Sequence, residues 1–261
     1  MKELKKIDVY LIAGQSNAVG LTKIETLPKD FEGEVFDRVL LYQEGNFCLT
    51  YYGQLVRGVR LGMGCDTENM GIEYNIAKYL QENTTEEVAI IRYAFGGSNL
   101  FYDWKPRIFW DGEPQIMGHR GYSYKIWAQT VANGLNKLLE AGYLPQIKAL
   151  AWMQGESDAD KGEAIADMYY DNLCDLIYTM RAELRMPELP VVIGEIAVQA
   201  PVAPWADTVR AAQSKFVLND AHAALVSTKD IPAGKDNLHF DGPEALRLGQ
   251  RFVEALLSVT K

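Results

Sequence analysis

The sequence predicts an α/β protein, a single domain over residues 1–261 in which helices pack on a mostly parallel sheet. Two observations lead to this class. Short, continuous apolar runs recur along the chain, as expected for strands that are buried on both faces of a parallel sheet. Segments of helical periodicity separate the runs, and a helix supplies the long connection that parallel strands need. With 261 residues, of which 48% are hydrophobic, the chain can bury a substantial core.

The strands are predicted from five apolar runs that are bounded by turn residues. They are residues 7–13, 88–93, 147–152, 191–196 and 223–227. These runs are rich in Val, Ile, Leu and Ala, and they are too short for typical helices. Because they lack a regular polar alternation, we expect both faces of the sheet to be covered.

Helices are predicted over residues 71–81, 127–138, 165–180, 205–217 and 243–257. In residues 165–180 the apolar side chains recur at intervals of three and four, which places them on one face of a helix. Asp241 is the candidate N-cap of the last helix, and Pro243 falls in its first turn.

Two segments interrupt the alternation, at about 32–66 and 101–121. We interpret both as loop insertions. The first is expected to hold a β-hairpin with Gly45 at its turn, and the second is rich in Trp, Tyr, Pro and Gly. Loops of this length are often functional.

The charge balance excludes some classes of partner. The formal net charge is −9, so the electrostatic pattern of a nucleic-acid binder is missing. No run approaches the roughly 18 to 20 apolar residues that span a bilayer, and no signal peptide is recognisable at the N-terminus. We therefore expect neither nucleic acid nor membrane as a partner, and the oligomeric state stays open.

The cysteines are interpreted as ordinary thiols. Cys48, Cys65 and Cys174 are scattered, and none forms the C-x-x-C pair of a zinc or redox site. The cysteines therefore indicate no metal site. No G-x-G-x-x-G pattern or Walker lysine follows the first strand, so we expect neither a metal nor a cofactor. The thiols fit a reducing compartment, but a secreted enzyme whose signal peptide has been removed could carry them too, so the sequence does not decide the localisation.

Four polar clusters follow predicted strands. They are residues 14–17 (GQSN), 96–99 (GGSN), 154–158 (QGESD) and 236–239 (DNLH). In open α/β sheets, ligands bind beyond the carboxyl ends of the strands. The four clusters should therefore meet at one edge of the sheet.

Ser16, His239 and Asp236 have the chemistry of a serine hydrolase. A serine hydroxyl needs a base to remove its proton, commonly a histidine that a carboxylate orients. Asp236 stands three residues before His239, close enough to hold its tautomer. Ser16 alone could instead cap a helix, and it lacks the G-x-S-x-G pattern of ordinary α/β-hydrolases. The other two histidines, His119 and His222, are interpreted as structural or exposed.

Acyl transfer also needs hydrogen-bond donors for the oxyanion of the tetrahedral intermediate. Gly97 can present a backbone N–H without a side chain in the way, although residues 96–97 could be only a tight turn. The side-chain amide of Gln154 is a further candidate donor, although a lone glutamine is usually just a hydrogen-bonded loop residue.

Together, the GQSN, FGGSNL, WMQGESD and DNLHF blocks resemble the SGNH hydrolase superfamily, in particular its sialate O-acetylesterase and carbohydrate esterase family six branch. The resemblance implies a three-layer α/β/α, flavodoxin-like fold and metal-independent hydrolysis of acetyl esters on carbohydrates. It implies Ser16 as nucleophile, His239 as base and Asp236 as acid. It also implies the N–H groups of Ser16 and Gly97 and the side chain of Gln154 as oxyanion donors.

Other residues have open roles. Glu156 could support or replace Asp236 in orienting the histidine, or it could bind the loop of Gln15 and Asn17. Gln15 and Asn17 themselves are candidate substrate-binding residues. Trp104 and Trp110, in the aromatic insertion, could stack on a sugar, although aromatic residues in such loops usually form a small core.

The expected function is a serine esterase that removes O-acetyl groups from acetylxylan or a related plant-type glycan through an acetyl-enzyme. The substrate would be an acetylated carbohydrate. An alternative is a sialate O-acetylesterase, for which Arg92, Arg107 and Arg120 could bind the carboxylate of the sugar. A less favoured alternative is a carbohydrate-binding protein without catalytic activity.

Overall fold

All five predicted apolar runs form strands of the same sheet in the computed structural model, which describes residues 3–45, 50–106 and 120–260. The strands are β1 (Lys5–Gly14), β2 (Thr22–Lys23), β3 (Phe36–Gly45), β4 (Leu55–Val59), β5 (Asn69–Met70), β6 (Val88–Ala94), β7 (Tyr143–Met153), β8 (Val191–Gly194) and β9 (Ala223–Val226). The helices are α1 (Ser16–Val19), α2 (Glu73–Asn83), α3 (Tyr122–Glu140), α4 (Glu156–Asp160), α5 (Glu163–Asp167), α6 (Tyr169–Glu183), α7 (Ala206–Asn219) and α8 (Gly242–Val259), with a 3₁₀ helix at Ile24–Thr26. The α/β class is confirmed.

The main sheet has seven strands in the order β4-β3-β6-β1-β7-β8-β9. Neighbouring strands are parallel except for β3 and β4, which are antiparallel. β2 and β5 form a small separate sheet. Because β6 lies on one side of β1 and β7 on the other, the loops after these three strands meet at the carboxyl end of β1, where such folds bind ligands.

Helices cover both faces of the sheet. α2 and α8 pack on one face, and α3, α6 and α7 belong to the core on the other. Consecutive residues of β1 point into the two cores, as Leu11 and Ile12 show, each 1% exposed. The expected three-layer sandwich with a mostly parallel sheet is confirmed.

Segment 32–66 contains the expected antiparallel pair of strands, but its interpretation as an insertion is wrong. β3 pairs in parallel with β6 and is therefore an integral strand of the main sheet. Gly45 is the last residue of β3. β3 contains polar residues, so its sequence is not a continuous apolar run. One of them, Glu44, is buried because its carboxylate accepts hydrogen bonds from Tyr42 and Thr130.

The predicted helices all form, with small differences at their ends. The segment 165–180 is divided between α5 and α6. Asp241 precedes α8 as expected, but its side chain does not cap the helix. Instead its carboxylate accepts the N–H of Lys235 at 3.3 Å.

Neither of the two cysteines in the described part of the chain forms a disulfide there. Cys65 is buried and Cys174 is half-buried. Cys48 lies outside the described residues. Over the described ranges, no helix combines the length and the apolar character that crossing a membrane requires.

Candidate active site

Ser16 follows a tight turn at the end of β1. Gly14 makes this turn with a φ of +145°, and a Cβ on it would lie 1.9 Å from the carbonyl oxygen of Met153. Only glycine fits there. The N–H of Gln15 donates to the same oxygen at 2.9 Å, which ties the turn to β7. Ser16 is thus the first residue of α1, and its side chain caps nothing, so the helix-capping interpretation is wrong.

His239 and Asp236 form the expected pair in the loop before α8. The imidazole Nδ1 lies 2.6 Å from Oδ2 of Asp236, and the backbone N–H of His239 donates to Oδ1 at 2.8 Å. With Nδ1–H directed at the carboxylate, Nε2 is left to accept a proton. The histidine side chain is 24% exposed, so the ring is accessible to a substrate.

The environment of Asp236 favours its charged form. Burial raises the pKa of its carboxyl, but the backbone N–H groups of His239 and Leu238 and the His239 imidazole more than compensate. The net effect is a pKa below the ordinary value. Asp236 is therefore an ionised partner for the imidazole at neutral pH.

Gly97 lies in the loop after β6, with a φ of +74° and open space where a Cβ would be. Its backbone N–H donates to no acceptor in the described part of the chain, and neither does that of Ser16. Two unpaired N–H groups on residues of one cavity are the donors that an oxyanion requires.

One cavity of about 450 Å³ joins the candidate catalytic residues. It is lined by Gln15, Ser16, Leu21, Gly96, Gly97, Glu156, Ser157, Asp160, Val198, Val202, Ala203, Leu238 and His239. The candidate nucleophile, the candidate base and the two unpaired backbone N–H groups therefore share one cavity, with Leu21, Val198, Val202, Ala203 and Leu238 among its apolar lining residues. Among the described residues, no group of three or more His, Cys, Asp or Glu side chains could hold a metal ion.

Gln15 is held so that its amide nitrogen remains available. Its Oε1 accepts Nε2 of Gln154 at 3.2 Å and the backbone N–H groups of Gly155 and Ser157 at 3.3 Å each. Its own Nε2 has no acceptor within the described ranges, and Gln15 lines the cavity beside Ser16. Gln15 is thus a third potential donor, and its expected role in binding substrate stays a prediction.

Gln154 does not occupy the expected position in the site. Its side chain is fully buried, and its Nε2 donates to Asp158 at 2.6 Å, with Ser98 O at 3.1 Å and Gln15 Oε1 at 3.2 Å also in reach. Its Oε1 accepts from Tyr169 at 3.1 Å. The expectation that Gln154 is itself an oxyanion donor is wrong for this arrangement, because its N–H groups already have acceptors inside the protein.

Glu156 binds Asn17 and not the imidazole. Its Oε1 accepts Nδ2 of Asn17 at 2.6 Å, and the same nitrogen lies 3.3 Å from the carbonyl of Leu238, next to His239. Its Oε2 is buried without a hydrogen-bond partner, and burial raises the pKa of the carboxyl. Of the two roles considered for Glu156, the contacts favour the bond to the Asn17 loop. Asn17, 7% exposed, connects α1, α4 and the histidine loop.

Trp104 is part of the core, so its expected role in stacking on sugar is wrong. It has no exposed surface, its ring packs edge-on against Tyr93 and Trp152, and its Nε1 donates to Ser98 Oγ at 2.8 Å. The other candidate platform, Trp110, lies outside the described residues, as does His119. His222 lies before β9, at the opposite end of the sheet from the site, where its carbonyl accepts the N–H of Val191.

Arg92 cannot bind a substrate carboxylate. It is fully buried in β6, its Nη1 lies 2.7 Å from Oε2 of the equally buried Glu73, and its Nη2 donates to the carbonyls of Met63 and Gly64. Arg107 lies outside the described residues, and Arg120, just before α3, is half-buried. The alternative that relied on these arginines loses its first candidate.

Comparison with known proteins places the chain in a family. The model of a family described as "Carbohydrate esterase, sialic acid-specific acetylesterase" matches residues 6–258. A probable carbohydrate esterase of Arabidopsis thaliana is 35% identical over 114 residues, which are 43% of this chain and 41% of that protein. The matched segment thus spans less than half of that relative.

Three solved structures show the same fold. A protein of Arabidopsis thaliana superposes with a TM-score of 0.73 at 20% identity, covering 98% of this chain and 100% of its own. NanS superposes with a TM-score of 0.64 at 14% identity, covering 99% of this chain and 98% of its own. A carbohydrate acetylesterase from Xanthomonas citri gives 0.62 at 19% identity, covering 97% of this chain and 56% of its own.

Proposed function

The chain belongs to the family of carbohydrate esterases described as sialic acid-specific acetylesterases, and from that premise we propose that it is a serine esterase that removes O-acetyl groups from a carbohydrate. One observation carries the proposal. Ser16, the Asp236-bound His239 and unpaired N–H donors line a single cavity. This is the set of groups that acyl transfer requires.

In the acylation step, Nε2 of His239 takes the proton of Ser16 while Oγ attacks the acetyl carbonyl carbon. The negative charge that develops on the carbonyl oxygen is met by the N–H groups of Ser16 and Gly97 and by the Gln15 amide. The C–O bond to the sugar then breaks, and His239 gives its proton to the departing sugar oxygen, which leaves as a hydroxyl group. The acetyl group remains on Oγ of Ser16.

Deacylation repeats these steps with water. His239 removes a proton from the water molecule as its oxygen attacks the acetyl carbonyl, and the same donors hold the oxyanion. When the bond to Oγ breaks, the proton returns to Ser16 and acetate leaves. Asp236 stays ionised throughout and stabilises the imidazolium that forms twice in the cycle.

For the substrate we favour an acetylated neutral sugar, such as that of acetylxylan or a related plant-type glycan. The described lining of the cavity includes the carboxylates of Glu156 and Asp160 and no Lys or Arg. A sialic acid would bring its own negative charge next to Asp160, whereas burial favours the neutral form of Glu156. The sialate alternative is supported by the description of the family and by Lys23 and Lys235, which line a neighbouring cavity that also contains Asp236 and His239.

Acetate release from a panel of esters tests the proposal. The panel contains acetylated xylan, acetylated monosaccharides and O-acetyl sialic acid, and the purified enzyme is compared with a folded Ser16→Ala variant. We expect release by the wild type alone, and faster release from the neutral sugars. Release that persists in Ser16→Ala would contradict the serine mechanism. A preference for sialic acid that Lys235→Ala abolishes would instead support the alternative.

A further inference from the structure

A second carboxylate of α4, Asp158, lies outside the catalytic cavity but is connected to it. Its side chain is fully buried. Oδ1 and Oδ2 accept the backbone N–H of Leu100 at 3.0 and 2.8 Å, and Oδ1 accepts that of Phe101 at 3.1 Å. Gln154 donates to Oδ2 at 2.6 Å. All these donors are groups of the protein itself, so the carboxylate of Asp158 binds the protein and not a substrate.

The positions of these donors show which segment of the chain Asp158 holds in place. Leu100 and Phe101 lie in the loop that follows β6, three and four residues after Gly97. The Gln154 amide that binds Asp158 also lies 3.1 Å from the carbonyl of Ser98, the residue after Gly97. At Gly97 itself no neighbouring atom lies within 4 Å of the Cβ position. The next residue, Ser98, is held by the carbonyl of Phe95 and by Nε1 of Trp104. Asp158 adds to these contacts through the Gln154 amide and through the N–H groups of Leu100 and Phe101.

We propose that Asp158 is a positioning residue for ester hydrolysis: its carboxylate holds the loop after β6 so that the N–H of Gly97 meets the oxyanion. This inference rests on the proposed function, because an oxyanion forms only if the site transfers an acyl group. Displacement of a donor by about 1 Å can cost on the order of 100-fold in rate. A distant anchor can therefore control kcat without touching substrate.

If Asp158 holds the loop after β6, the strength of this hold should depend on pH. Burial raises the pKa of Asp158 to about 6, although the N–H groups of Leu100 and Phe101 and the Gln154 amide oppose the shift. The titratable groups that face it are Asp103 from the same loop and Tyr169 from α6. A protonated carboxyl has one acceptor fewer for three donor groups, so the loop should loosen as Asp158 takes up a proton.

Asp158→Asn tests the positioning role through kinetics. Asparagine is nearly isosteric, but it directs N–H groups at the N–H donors of the loop. We expect kcat on a small acetyl ester to fall roughly 10- to 100-fold, with KM changed less than about 3-fold. The matched control is Asp220→Asn, which removes a partly buried carboxylate paired with Arg181 at the other end of the sheet. An unchanged kcat in folded Asp158→Asn, or an equal fall in the control, would overturn the proposal.

An NMR titration tests the same role if Asp158→Asn fails to fold. The backbone amides of Gly97, Leu100 and Phe101 are followed between about pH 4 and pH 8 in a His239→Ala variant, so that no imidazole titrates nearby. We expect the three amides to move together with a midpoint of about 6. A Gly97 amide that does not follow the other two would refute the coupling. Because this readout needs no activity, it separates failure of the anchor from failure of the esterase proposal.

Discussion

Two carboxylates lie near His239, and they are held differently. Asp236 binds Nδ1 of the imidazole at 2.6 Å, whereas Glu156 binds the amide of Asn17. We expect Asp236→Asn to lower kcat by about 10³- to 10⁴-fold, because the imidazole loses control of its tautomer. Glu156→Gln should cost less than about 10-fold, because a glutamine oxygen can still accept from Asn17. Steady-state kinetics on an acetyl ester measure both effects.

The double variant shows whether the two carboxylates share one role. If they do not, Asp236→Asn combined with Glu156→Gln should be slower than Asp236→Asn only by the small factor of the second change. A much larger loss would contradict this, because it would mean that Glu156 replaces Asp236 when Asp236 is neutral. Asp230→Asn is the control, since it removes an exposed carboxylate paired with two arginines.

The direction in which the pKa of Asp236 is shifted determines how this carboxyl affects the stability of the protein at each pH. Its folded pKa is lower than the ordinary value. Its contribution to the free energy of unfolding is therefore fully present above about pH 4, the unfolded value, and is lost as the pH falls through the lower folded pKa. A loss of activity on mild acidification should consequently not come from Asp236.

At the residue scale, the sequence predicted residue types better than roles. Ser16, Gly97, Asp236 and His239 could be chosen because catalysis restricts which side chains can act. The two glutamines could not be assigned, because both stand near strand ends and both carry an amide. Only the hydrogen bonds separate them, since Gln154 binds inward and fixes the oxygen of Gln15.

At the element scale, the loop after β6 is connected to the core through Trp104. Its ring fills space between Tyr93 and Trp152, and its Nε1 binds Ser98 of the same loop. We expect Trp104→Ala to lower the free energy of unfolding by about 3 to 5 kcal/mol, the usual cost of deleting a buried aromatic ring. It should change KM for acetylated xylan and for a small acetyl ester by the same factor. Denaturant unfolding and parallel kinetics measure the two outcomes.

Tyr102→Ala is the control for this prediction. Tyr102 lies in the same turn and is 39% exposed. Its replacement should therefore change stability by much less than that of Trp104. If Trp104→Ala raised KM on the polymer alone and left stability intact, Trp104 would be a sugar platform and its place in the core would be wrong.

The strands that the sequence predicted are those in which apolar residues predominate. β6 is buried at every residue and contains one charged side chain, and the second half of β1 is likewise apolar and buried, because both faces of a central strand are covered. β3 was expected only as part of a hairpin and not as a strand of the main sheet, because Gln43 and Glu44 near its end are buried through specific partners and look exposed in the sequence. α1 and α4 are too short to show a period, yet they carry Ser16 and Asp158.

At the scale of the whole molecule, the strand order explains why distant motifs meet. β6, β1 and β7 are neighbours in the sheet, so the loops that follow them lie side by side although long stretches of sequence separate them. The histidine loop before α8 joins them through Asn17, which approaches Leu238 O at 3.3 Å. This topology could be expected from the βαβ pattern, but the hydrogen bonds between the loops could not.

The distribution of charge also acts at this scale. The chain has a net charge of −9, and the cavity itself contains carboxylates. Arg92, which lies close to the site in sequence, instead joins β6 to the start of α2 through Glu73 in the interior. A buried pair of this kind serves the fold and not the substrate. Both features favour a neutral acetylated sugar.

The most direct test of the account is to identify the acetylated residue. The wild-type enzyme is mixed with p-nitrophenyl acetate, quenched in acid during turnover, digested and mapped by mass spectrometry. We predict one additional acetyl group on the peptide that contains Ser16, absent from Ser16→Ala and lost again when the substrate is exhausted. Turnover with no acetylated Ser16, or with the acetyl group on another residue, would contradict the serine mechanism.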